Sequence, residues 1–92
     1  MQGKKHLNQV ADLGCILCWH LGYEDTPTEL HHIRRAGKRA NAPVIGLCPE
    51  HHRGNTGIHG LGRKAFERKY QITEEGLLQI VSERLQLQGI KP

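Results

Sequence analysis

At 92 residues the chain has room for one domain with a modest core, and its only aromatic side chains are Trp19, Tyr23, Phe66 and Tyr70. No run approaches the roughly 18 apolar residues of a membrane span, and the start, with Lys4, Lys5 and His6, has no apolar stretch that would make a signal peptide. A net charge of +4 and a pI of about 9.2 admit a polyanionic partner without demanding one.

Residues 2–13 are expected to form a short helix whose sparse apolar face is Val10 and Leu13, ended by Gly14. Cys15-Ile16-Leu17-Cys18 reads as a zinc knuckle, and residues 22–27 as a polar loop. Residues 28–33 alternate enough for a strand, and the basic stretch 34–41, with Gly37, reads as an exposed loop. Val44-Ile45-Gly46-Leu47 is a second strand that would pair with the first as a hairpin. Cys48-Pro49 starts a helix, since proline suits a first helical position, and Gly54, Gly57, Gly60 and Gly62 cut it short. Residues 63–70 look helical. Thr73 can cap a last helix over 74–87, whose core positions are Leu77, Leu78, Ile80, Val81 and Leu85. The expected class is a small α+β domain spanning 1–92, held by a metal, with a core over about 15–70.

Three cysteines cannot all pair within one chain, and their spacing fits thiolate ligands better than disulfides. The compartment implied is a reducing cytoplasm. Cys15-x-x-Cys18 and Cys48-x-x-His51 together make a Cys3His set, which zinc takes tetrahedrally. His20, two residues past Cys18, is an alternative fourth ligand.

His31 and His32 are neighbours on an expected strand, so their side chains leave on opposite faces. Two roles are then natural, one histidine for an ion and one for a proton, and an imidazole pKa near 6.5 suits a general base. His52 and His59 are further ligand candidates. On one continuous helix, seven residues would separate them by roughly 10 Å. If both bind, the chain must turn between them, and Gly54 and Gly57 permit that.

His31-His32-Ile33, a basic loop, a short strand and then Leu47-Cys48-Pro49-Glu50-His51-His52 resemble the HNH endonucleases of the ββα-metal (His-Me finger) fold. Gly57-Ile58-His59 and Phe66-Glu67 make the chain look most like the phage recombination-enhancement (Ref-type) nucleases. The resemblance covers about residues 15–70. It implies DNA phosphodiester hydrolysis with His32 as general base and one catalytic divalent ion (Mg, Mn, Ni or Zn) held by His31, His52 and His59. Asn41 resembles the asparagine that orients the base. It stands slightly early relative to Cys48, and the seven-residue His52–His59 spacing departs from the four of colicin-type sites. The resemblance also implies products with 5′-phosphate and 3′-hydroxyl ends, a phage or prophage origin, and a recombination or phage protein as partner.

Arg34, Arg35, Lys38 and Arg39 follow the histidine pair, and Arg53, Arg63 and Lys64 follow the second set. Cations there would position a DNA backbone without reading sequence. Two other readings use the same motifs: a nucleic-acid-binding zinc module without catalysis, and a protein-interaction zinc knuckle. A cysteine-based enzyme is disfavoured, because each cysteine is better explained as a ligand.

Overall fold

The computed structural model describes residues 4–24, 26–33 and 42–88. Among them are six helices, α1 (Lys4–Asp12), α2 (Ile16–Leu21), α3 (Pro49–Arg53), α4 (Ile58–Leu61), α5 (Arg63–Tyr70) and α6 (Glu74–Gln88), and two strands, β1 (Glu29–His32) and β2 (Val44–Leu47). The class is α+β, with one two-stranded sheet among the described residues. The expected basic loop, including Arg34, Arg35, Lys38, Arg39 and Asn41, lies outside the described residues.

The strands pair antiparallel in the register Glu29↔Leu47, Leu30↔Gly46, His31↔Ile45 and His32↔Val44. An Ile33 N–H bond to the Pro43 carbonyl extends the ladder by one step, 2.8 Å long. All four residues of β2 are buried, because helices cover it: α1, α2 and α6 all pack against this strand. β1 carries its burial unevenly, with His31 buried and His32 exposed. That is the alternation the sequence implied for the pair.

The segment from Cys15 differs from the expected zinc knuckle. It is a helix, α2, with Cys15 as its N-cap: the Sγ accepts a hydrogen bond from the Cys18 N–H at 3.3 Å. A sulfur acceptor at a helix start does what Ser or Asp usually does there, and cysteine's use as a cap was not apparent from its spacing. Gly22 ends α2 with φ 103°, giving its N–H to the Cys18 and Trp19 carbonyls.

The second half follows the expected breaks. Pro49 opens α3, which stops after Arg53, and α4 begins at Ile58. α6 starts as the Thr73 cap implied: the Gly76 N–H donates to Thr73 Oγ1 at 2.9 Å. Leu77 and Val81 are buried, and Leu78, Ile80 and Leu85 pack at the core's edge. The core runs from Val10, Ile16 and Leu17 through Ile33, Ile45 and Leu47 to Phe66 and Leu77. Each such side chain fully buried is worth about 1.5–3 kcal/mol. α6 is tied to the first helices at its far end, where Arg84 donates to the Leu13 carbonyl at 3.3 Å and lies 4.6 Å from the Trp19 ring centre. No helix among the described residues is long and apolar enough to cross a membrane.

Candidate metal centres and active site

α3 supplies one ligand candidate to each of two clusters. The first gathers Cys15, Cys18, Cys48 and His51, with one donor atom from each within 4.8 Å of the others. Cys15 caps α2 and Cys18 lies in its first turn, while Cys48 caps α3 and His51 lies one turn on. Two helix starts therefore face each other across four donors. The Sγ atoms of Cys18 and Cys48 are 3.8 Å apart, and His51 Nδ1 lies 3.7, 3.4 and 3.3 Å from Cys15, Cys18 and Cys48. A tetrahedral zinc with sulfur near 2.3 Å and nitrogen near 2.0 Å requires edges of about 3.8 Å between sulfurs and about 3.5 Å from sulfur to nitrogen. The donor set and its spacing fit such an ion. His20 is exposed on α2 and is not in the cluster, so His51 takes the fourth position.

Charge at the cysteines is disfavoured until a cation compensates it. Burial pushes the Cys15 thiol up. Burial first, and then Cys15, push Cys18 up to about 12. Burial lowers the His51 pKa, which favours the neutral ring whose lone pair a metal needs. Tyr70 packs edge-on to His51 with ring centres 5.4 Å apart, and its hydroxyl donates to the Thr56 carbonyl at 2.8 Å. Tyr70 thus braces the imidazole and the turn after α3 together, a role its helical spacing with Phe66 did not disclose.

The second cluster is His31, His52 and His59, again with donor atoms within 4.8 Å. Ring centres are 5.3 Å apart for His31–His52, 5.2 Å for His31–His59 and 4.8 Å for His52–His59. The last distance is half the separation a continuous helix would impose, because the chain turns between α3 and α4 as expected. That turn needs Gly57: a Cβ there would sit 2.5 Å from the Glu50 carbonyl oxygen and 2.6 Å from the His51 carbonyl carbon. The three rings line a cleft of about 620 Å³ together with His32, Leu30, Ile58, Gly62, Arg63 and Glu74. Three imidazoles on one side of an open cleft fit a divalent ion with positions left for other ligands.

A family model described as recombination enhancement, RecA-dependent nuclease matches residues 1–86. The chain belongs to this family. Neither a search of curated proteins nor a search of solved structures found a match. A family of nucleases implies a nucleic-acid substrate. Its span also exceeds the 15–70 of the motif resemblance, taking in α1 and most of α6.

In this member of the RecA-dependent nuclease family, two carboxylates hydrogen-bonded to the clustered histidines are additions to the residues foreseen. Glu74 Oε2 lies 2.6 Å from His31 Nε2, and Glu29 Oε1 lies 2.9 Å from His52 Nδ1. Glu29 also binds the Arg53 guanidinium at 2.9 to 3.0 Å. Arg53 first, and then His52, hold its carboxyl down at about 2. Arg53 is thus engaged with a neighbour as well as exposed. Arg63 lines the cleft and pairs with Glu67 at 3.3 Å, and Lys64 is exposed beside it.

Proposed function

We propose that this protein is a metal-dependent HNH endonuclease of the ββα-metal type, a single domain that hydrolyses DNA phosphodiester bonds. The observation that carries the reading is the convergence of His31, His52 and His59 in one cleft, with His32 on the same lining. β1, β2 and α3 follow one another in the order that type uses. Cys15, Cys18, Cys48 and His51 would hold a structural zinc, and the three clustered histidines a catalytic ion (Mg, Mn, Ni or Zn). Such an ion, when bound, would supply Lewis-acid stabilisation of charge on the phosphate and on the leaving 3′ oxygen.

His32 takes a proton from the attacking water. It is exposed at the cleft while its neighbour is buried, which leaves its ring accessible to solvent and substrate. Asn41 orients that base, as the resemblance implies. Arg63 at the cleft and Lys64 next to it in sequence, with Arg34, Arg35, Lys38 and Arg39 after β1 in sequence and Arg53 on α3, would contact the DNA backbone. Arg53 would do so while still fixing Glu29. The 5′-phosphate and 3′-hydroxyl ends follow from that leaving oxygen. A phage or prophage source, action in the host cytoplasm and a recombination partner complete the proposal. The family description favours RecA as that partner.

Nicking of supercoiled plasmid tests this, with metal-stripped protein given back Mg, Mn, Ni or Zn, on naked and on RecA-coated DNA. Wild type should cleave, and His32→Ala should lose about 100-fold or more, the usual contribution of a general base. Zinc content and DNA binding should be unchanged in that variant. Folded, zinc-loaded wild type that binds DNA but cuts neither substrate would favour the non-catalytic zinc module.

A further inference from the structure

Glu74 opens α6, 43 residues from His31 in sequence, yet the two are packed face to face, with 4% and 6% of their surfaces exposed. A carboxylate that deeply buried is costly unless it is partnered. A carboxylate accepts hydrogen bonds and does not donate them, so the 2.6 Å contact puts the imidazole hydrogen on His31 Nε2. A neutral ring has a single N–H, and Nδ1 of His31 is left with its lone pair. At His52 the arrangement is reversed. Glu29 meets Nδ1 at 2.9 Å, so Nε2 is left with the lone pair.

We propose that Glu74 and Glu29 are positioning residues that lock opposite tautomers of His31 and His52, turning Nδ1 of one ring and Nε2 of the other toward a divalent ion. The proposal rests on the reading of His31, His52 and His59 as the catalytic-ion site. Neither carboxylate belongs to the group of mutually close donor atoms, which are those of the three imidazoles. Each is itself held. Arg53 grips Glu29 through two nitrogens. The Glu74 backbone N–H donates to Glu67 Oε2 at 2.9 Å, fixing the start of α6 where the carboxylate leaves it. α6 is therefore part of the site and not only a lid on the core.

The test uses the full-length, zinc-loaded protein, Co2+ as probe, and ring-nitrogen NMR of the histidines. Wild type should bind Co2+ without a thiolate charge-transfer band, with His31 as the Nε2–H form and His52 as the Nδ1–H form. Glu74→Ala should release His31 into a tautomer mixture and weaken Co2+ by about 10–100-fold, the usual effect of losing such a partner. Glu74→Gln, which keeps an acceptor oxygen of the same shape, should restore the tautomer and most of the affinity. Should Glu74→Ala fail to fold, Glu29→Ala carries the same test on His52, since the Glu29 side chain is 28% exposed. Unchanged affinity and tautomer in these alanine variants would overturn the proposal. So would a Co2+ spectrum showing loss of a carboxylate ligand in Glu74→Gln, because Glu74 would then touch the ion directly. Wild type that takes Co2+ only at the cysteines would overturn the ion site itself, and the proposal with it.

Discussion

Cys18 shows how one side chain sets a pH response. Its thiol is pushed from an ordinary 9.0 up to about 12, mainly by burial. In metal-free protein a raised value favours the fold while the thiol stays protonated. That contribution is whole below 9.0 and fades as pH climbs toward about 12. Metal binding reverses the dependence, because the thiolate is the ligand and protons must leave for the ion to enter. Zinc should be retained at neutral pH and released on acidification, and a chromogenic chelator followed down a pH series reads the release. The ligand candidates were legible in the sequence because each Cys or His motif is local, two or three residues wide. Glu74 was not. A glutamate in the first turn of a helix serves the helix dipole in the ordinary way, and nothing local says that its oxygen meets a histidine 43 residues away. Glu29 had a fainter signal, standing two residues before His31 and so on the same face of the strand.

The break between α3 and α4 is the element on which the three-histidine cluster depends. Gly57→Ala would drive a methyl into the backbone of Glu50 and His51, and the turn would have to open. The expected outcome is a protein that keeps its cysteine-site metal but binds Co2+ at the histidines at least tenfold more weakly, by titration of both sites. An unchanged second site would show that the turn tolerates more than its contacts suggest. Four glycines between 54 and 62 announced this break clearly. The second strand and the start of α6 were equally plain, through an apolar run bounded by proline and through the Thr73 cap. α2 was hidden by its own chemistry, since two cysteines flanking apolar residues suggest a knuckle as readily as a capped helical turn.

Across the whole molecule, the cysteine cluster joins the early helices to the later half. Cys15 caps α2 and Cys18 lies in it, Cys48 caps α3 and His51 lies in it, and the sheet lies between them in sequence. A domain this small has little apolar burial in reserve. Cys18→Ser should therefore lose the ion and, with it, most of the cooperative thermal transition, as seen by calorimetry beside zinc analysis. A variant that lost zinc yet melted sharply near the wild-type temperature would remove the structural role from that site. The α+β class, the order of the elements other than α2, and which side chains gather in the two clusters were readable from spacing and periodicity. The way α6 reaches back to His31 required the folded chain, because that contact depends on how Leu77 and Val81 seat the helix against the core.

α3 has only five residues, and two adjacent ones, His51 and His52, face different clusters. Neighbouring positions on a helix are turned about 100° from each other, so the short rod behaves as a crank with an arm in each centre. Were a cation bound among the sulfurs, a change in its size or coordination would bear on His51, and the short helix would pass part of that shift to His52 beside Glu29. The two centres share one short support, so an ion bound at the buried one is expected to bear on the geometry of the open one.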